Sequence, residues 1–119
     1  MLVIDDDPTF RGLAVRMLES MGLAVVGEAD TVATATAAAN ELRPQAALVD
    51  VALPDGCGVT LAAELAALPW HPRIVLTSAD SEAVTEAGAR SAGAAAFIAK
   101  DALPDSPLRA LLTGRSREE

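Results

Sequence analysis

Ala46-Ala47-Leu48-Val49-Asp50-Val51-Ala52-Leu53-Pro54-Asp55-Gly56-Cys57-Gly58 is the stretch that decides how this chain is read. It opens as a short apolar run of the kind that forms a buried strand, then breaks into Pro54, Asp55, Gly56 and Gly58, which are turn residues. Asp50 falls inside the run, just before the turn. A carboxylate in that place is costly unless something pairs with it. In a parallel α/β sheet, the carboxyl ends of the strands are also where ligand sites are built. Asp50 is therefore read as a reactive carboxylate, with the other polar residues arranged to serve it.

Upstream, Leu2-Val3-Ile4 is a short apolar run that stops at Asp5, Asp6 and Asp7. Pro8 suits the first position of a helix and Asp7 the cap before it. Phe10, Leu13, Ala14, Met17, Leu18 and Met21 then recur at helical spacing, and Gly22 is placed to stop that helix. Leu23 to Val26 reads as a second strand, with Glu28 and Asp30 as loop and cap residues. Val32, Ala35, Thr36, Ala39 and Leu42 mark a second helix, ended by Pro44.

Downstream, Leu61, Leu65 and Leu68 predict a third helix closed by Pro69. Arg73 to Leu76 is a fourth strand running into Thr77 and Ser78. A helix from about Glu82 to Ala92 ends near Gly93, and a fifth strand, Ala95 to Ala99, ends at Lys100. Leu108, Leu111 and Leu112 suggest a last short helix. The expected organisation is one domain over residues 1–113, followed by a polar tail or the start of a linker over 114–119. Five strands alternating with five helices form a (βα)5 pattern, which implies a parallel sheet covered by helices on both faces.

Composition agrees with a single small domain. The 119 residues are 51% apolar, but with two Phe, one Trp and no Tyr the core must be built from small aliphatic side chains. A net charge of −8 argues against nucleic-acid binding by this domain's own surface. The lone Cys57 excludes an internal disulfide and a cysteine-based metal site, and reads as a small loop residue. No apolar run reaches the roughly 18 residues needed to cross a bilayer, and no basic-then-apolar leader opens the chain. The expectation is a soluble cytoplasmic protein without membrane contact.

A parallel sheet gathers its strand ends at one edge. That edge should hold Asp5 and Asp6 after the first strand, Asp50 on the third, Thr77 and Ser78 after the fourth, and Lys100 after the fifth. Lys100 is the sole lysine; the other eight basic residues are arginines. Carboxylates crowded together repel unless a cation joins them or one takes a proton. Oxygen-only ligands favour a hard divalent cation, and few protein ligands favour Mg2+. A metal beside a lysine ammonium suits a phosphoryl group, with Asp50 as the acceptor that forms an aspartyl phosphate. Each residue also has a plainer reading: Asp6 and Asp7 as helix caps, Asp50 as a buried partner of Lys100, Thr77 as a strand-end hydroxyl. Trp70 and His71 precede the fourth strand at the opposite edge, as a packing residue and a surface residue.

With these residues in place, the chain resembles the receiver domain of two-component response regulators over essentially its full length. Val3-Ile4-Asp5-Asp6 matches the acidic pair, Asp50 with Leu53-Pro54-Asp55 and Gly58 the phosphoacceptor segment, and Thr77 and Lys100 the remaining site residues. The resemblance implies a flavodoxin-like fold of strand order 2-1-3-4-5. It implies Mg2+-dependent phosphorylation of Asp50 by a sensor histidine kinase, with Asp5, Asp6, Asp50 and the Ala52 backbone carbonyl holding the metal. It further implies that Thr77, Ser78 and Lys100 hold the phosphoryl group and that Phe97 turns inward as Thr77 moves. The readout surface would be the fourth helix, fifth strand and fifth helix, which would also serve a homodimer. The chain would be a signalling domain and not an enzyme in the usual sense.

Two departures from the pattern stand out. Asp101 replaces the proline that follows the lysine in many receivers, and Lys100-Asp101 is similar to receivers joined to a helix-turn-helix DNA-binding domain. That points to transcriptional control through an output domain outside this chain. Ala52 and Ala79 offer no polar group to orient an attacking water. Rival readings are a phosphorylation-independent interaction module, a phosphatase of the haloacid dehalogenase type, and a flavin-binding domain. The phosphatase expects a second acid where Ala52 stands, and the three aspartates at 5–7 would repel a flavin phosphate.

Overall fold

The computed structural model describes residues 1–114, and its elements alternate as the apolar pattern predicts. They are β1 (Leu2–Ile4), α1 (Pro8–Ser20), β2 (Gly27–Ala29), α2 (Val32–Leu42), β3 (Ala46–Asp50), β4 (Ala52–Leu53), β5 (Gly56–Cys57), α3 (Gly58–Ala66), β6 (Arg73–Ser78), α4 (Glu86–Ser91), β7 (Ala96–Ala99) and α5 (Leu108–Thr113). A 3-10 turn, Lys100–Asp105, separates β7 from α5. The five long-range strands pair in parallel in the order β2-β1-β3-β6-β7, while β4 and β5 form a separate two-residue hairpin. Counted without the hairpin, the order is the flavodoxin-like 2-1-3-4-5.

The central strands carry continuous apolar runs because both faces of the sheet are covered. Side chains alternate between two cores. Leu2, Ile4, Ala47, Val49, Ile74 and Leu76 face α2 and α3, whose Ala35, Ala39, Leu61, Ala62 and Leu65 complete that side. Val3, Leu48 and Val75 face α1 and α5, meeting Ala14, Leu18, Leu108 and Leu112. Alanines on α2 bring that helix close to the sheet, as the alanine-rich composition requires.

Helix ends follow the residues predicted to make them. Asp7 caps α1, its carboxylate accepting the Thr9 N–H at 3.0 Å, with Pro8 in the first turn. Gly22 follows the end of α1 with φ +83°, a left-handed conformation that glycine adopts without a Cβ penalty. At α2 the cap is Thr31, through a reciprocal pair with Thr34, and not Asp30, whose carboxylate instead accepts the Thr34 hydroxyl at 3.2 Å.

Several boundaries differ from the sequence reading, the smallest being β7, which starts at Ala96 and not Ala95. β2 is Gly27–Ala29 and not Leu23–Val26, because β1 begins at Leu2 and its register pairs Leu2 with Gly27; the earlier stretch reaches only Met1, the Ala24 carbonyl accepting from its ammonium at 2.6 Å and the Val26 N–H donating to its carbonyl at 2.8 Å. Glu28 accordingly lies on the strand. α3 ends at Ala66, before Leu68 and Pro69. α4 starts only at Glu86, because Thr85 takes the capping position and accepts the Gly88 N–H at 2.9 Å. The predicted loop after Asp50 contains the β4–β5 hairpin. The expected tail beyond Gly114 lies outside the described residues.

Candidate functional site

Parallel pairing places the ends of β1, β3, β6 and β7 side by side. Asp50 aligns with Thr77 across β3 and β6, and Ser78 with Ala99 across β6 and β7. Asp5 and Asp50 are almost wholly buried, at 1% and 5% exposure, whereas Asp6 faces solvent. One carboxylate oxygen from each of Asp5, Asp6 and Asp50 lies within 4.8 Å of the other two. This donor set, three carboxylates with no nitrogen or sulfur, fits a hard divalent cation. Ala52 is exposed at the first position of the hairpin, and its N–H favours the charged form of Asp50.

Lys100 enters from the end of β7. Its ammonium lies 2.8 Å from Asp5 Oδ2 and 3.8 Å from Asp50 Oδ2. The contact with Asp5 Oδ2 is a charge contact without hydrogen-bond alignment, since that buried oxygen has no hydrogen-bonded partner among the described residues. The other Asp5 oxygen accepts the Asp7 N–H at 2.8 Å, which folds the acidic loop back on itself. Burial, and next the Asp5 carboxylate, push the Asp50 carboxyl up from 3.8 to about 6; Lys100 and the Ala52 N–H pull the other way. At pH 7 such a group is still ionised by about ten to one.

The hydroxyls differ from each other. Thr77 is buried, and its Oγ1 has no partner among the described residues. Ser78 Oγ accepts the Asp80 N–H at 3.1 Å, so its oxygen is engaged while its own hydrogen remains to donate. Phe97 is half-buried on β7 and packs against the α2–α3 side of the core. It stands beside Leu76, one position before Thr77's partner.

The sequence reading missed three residues at the edges of this cluster. Phe10 was assigned to the apolar stripe of α1, yet Lys100 Nζ sits 4.2 Å from its ring centroid. Arg11 donates to the Asp5 carbonyl at 2.7 Å and to Glu28 Oε1 at 3.0 Å, tying the acidic loop to β2. Asp55 reaches from the hairpin turn to the start of α2 and accepts the Val32 and Ala33 N–H groups at 2.7 and 3.1 Å. Those donors hold its carboxyl below the ordinary value, Val32 first. An acid two to three residues after a strand, facing a helix N-terminus, is the signal that could have revealed it.

A groove of about 830 Å3 lies at the other edge of the sheet, lined by Met1, Arg43, Trp70, Arg73 and Arg109 among others. None of the clustered carboxylates lines it. Trp70 packs there as predicted, its indole N–H donating to the Pro44 carbonyl at 2.9 Å with Arg43 stacked on the ring, and His71 is exposed.

A doubly covered parallel sheet with acids on its first and third strand ends and a lysine on its last defines a class of signalling domain. The chain belongs to the response regulator receiver domain family, whose profile matches residues 1–112. It is 40% identical over 102 residues to the DNA-binding transcriptional activator DevR/DosR of Mycobacterium tuberculosis, covering 84% of this chain and 46% of that protein. It is 36% identical over 112 residues to the probable transcriptional regulatory protein NarL of the same organism, covering 93% of this chain and 52% of that one. The solved receiver domain of the putative response regulator NarL from that organism superposes with a TM-score of 0.82 at 35% identity, covering 95% of this chain and 92% of that chain. A response regulator from Burkholderia pseudomallei, solved with a phosphorylated aspartic acid and a calcium ion, gives 0.79 at 32% identity, covering 93% and 64%. The chain spans about half the length of these curated relatives. It is a receiver domain of two-component systems related to transcriptional regulators, and no helix among the described residues is long and apolar enough to cross a membrane.

Proposed function

We propose that this domain accepts a phosphoryl group on Asp50 from the phosphohistidine of a sensor kinase and relays it as a change of surface. The observation that carries this reading is the buried Asp50 carboxylate flanked by Asp5, Asp6 and the Lys100 ammonium, with a Thr77 hydroxyl on the neighbouring strand that has no partner among the described residues. Asp5, Asp6, Asp50 and the Ala52 carbonyl would hold Mg2+, which supplies charge neutralisation for acids that otherwise repel. An Asp50 oxygen attacks phosphorus, and the bond from phosphorus to the donor nitrogen breaks as the new P–O bond forms. Lys100 pairs with one phosphoryl oxygen, and the Thr77 and Ser78 hydroxyls donate to others.

Thr77 gains a hydrogen-bond partner only when the phosphoryl group is present. Its shift toward the acceptor frees space on the α4–β7 side, which Phe97 fills by turning inward as a packing element without a hydroxyl. A local charge event thereby biases a two-state surface made by α4, β7 and α5. That surface is the candidate for homodimerisation and for control of an output, which the DNA-binding relatives suggest is transcription. The reaction is stoichiometric phosphoryl acceptance in a cytoplasmic signalling domain, with no turnover on a separate substrate.

Intact mass after incubation with Mg2+ and acetyl phosphate tests this directly. The parent gains one phosphoryl group, and Asp50→Asn and an EDTA-treated sample gain none. If the parent gains none and also fails to bind beryllofluoride, the domain is a phosphorylation-independent interaction module.

A further inference from the structure

Lys100 has a third contact besides its two carboxylates. Its ammonium sits over the face of Phe10, 4.2 Å from the ring centroid, in the first turns of α1. The ring is itself fixed, packed against the core on the α1–α5 side and sharing that packing with Ile98 of β7. α1 starts directly after the acidic loop, and Asp7 caps it, so the ring is anchored to the same backbone that carries Asp5 and Asp6. A lysine stem is flexible, and two carboxylates alone would let its ammonium settle on the nearer one, Asp5 at 2.8 Å. The aromatic face adds an attraction that carries no proton, takes no metal and does not change when the charge on Asp50 changes.

We propose that Phe10 is a positioning residue for Lys100: its ring holds the ammonium where it reaches Asp50 as well as Asp5, so that the charge already stands beside the acceptor oxygen. This rests on the reading of Asp50 as the phosphoryl acceptor. A ring that served packing alone would be replaceable by leucine, which fills similar space without a π face. A ring that also positions Lys100 would not.

The sole lysine makes the contact directly observable, because lysine labelled with carbon-13 gives one ε-methylene signal, from Lys100. In the parent, the ring current shifts that signal upfield of its ordinary position. Phe10→Leu returns it to the ordinary position and slows phosphorylation by acetyl phosphate about fivefold. Phe10→Tyr, which restores the ring face, restores both the shift and the rate. The proposal is overturned if the parent signal is unshifted, if Phe10→Leu leaves the shift in place, or if the shift vanishes while the rate stays that of the parent. A parent that takes no phosphoryl group overturns the proposed function, whereas equal rates in parent and Phe10→Leu overturn only the role of Phe10. Thermal unfolding of both variants separates a lost contact from a lost fold.

Discussion

Replacing Asp50 with asparagine removes a charge that this fold holds at a cost, and the size of the cost can be worked from its titration. The carboxyl is raised from 3.8 to about 6, first by burial and then by Asp5. An acid raised in the folded state binds its proton more tightly there than in the unfolded chain. Its contribution to stability is therefore greatest below pH 4 and is lost as pH climbs through about 6. A shift of this size corresponds to about 3 kcal/mol of destabilisation at pH 7. Asparagine has nearly the same shape and no charge, so in EDTA at pH 7 the variant is expected to be more stable than the parent by up to about 3 kcal/mol. For a chain of 119 residues that is on the order of 10 °C in Tm. Urea unfolding at several pH values between 4 and 8 is the assay. The two proteins should converge near pH 4 and separate steadily up to about pH 6.5. Adding Mg2+ should stabilise the parent more than the variant, narrowing the gap. Parallel curves, or a variant less stable than the parent at pH 7, would refute the claim that Asp50 is held charged against burial and Asp5.

Three further substitutions probe separate features. Thr77→Val removes a buried hydroxyl that has no partner among the described residues, so urea unfolding should show no loss of stability and a gain of about 1 kcal/mol; a loss of that size would mean the hydroxyl is bonded in the resting state. Gly58→Ala drives a Cβ into the Asp50 carbonyl and the Val51 Cα, backbone atoms that cannot step aside, and should destabilise by about 3 kcal/mol or more while depressing phosphorylation with it. Normal stability in that variant would show that the hairpin can move away from Asp50. Asp55→Ala removes the acceptor of the Val32 and Ala33 N–H groups. Because the folded value of Asp55 is lowered, its contribution is present above the ordinary carboxylate range and is lost as pH falls through the folded value. The urea midpoint of Asp55→Ala should therefore drop at pH 7 and match the parent in strong acid, and an equal drop at both would assign the effect to packing.

The fold and the cluster were legible for the same reason: the strands that carry the site are unbroken apolar runs that lead into polar residues, and parallel pairing leaves those ends nowhere else to go. The misreadings arose where pairing partners, not local pattern, decide. Leu23 to Val26 is a better strand by composition than Gly27-Glu28-Ala29, but β1 offers its ladder only to the latter. The start of α4 depended on which of several polar residues would cap it, and Thr85 won by bonding Gly88. Phe10 escaped notice because a residue that packs and a residue that packs on one side while facing an ammonium on the other occupy the same helical positions. Asp55 binds backbone groups more than twenty residues away, so its position after a strand hints at a role without naming the helix it serves.

The contact between Asp5 and Lys100 joins nearly the first residue of the domain to one close to its last helix. During synthesis, the acids at residues 5, 6 and 50 are all exposed long before residue 100 leaves the ribosome. Until β7 docks against β6 they lack their cation, and the sheet lacks its edge. A chain truncated within β7 or α4 should thus be blind to any phosphoryl donor, however well its first three strands are formed. If Asp50 is the phosphoryl acceptor, signalling competence is expected to arise late, once β7 has brought Lys100 to the acids.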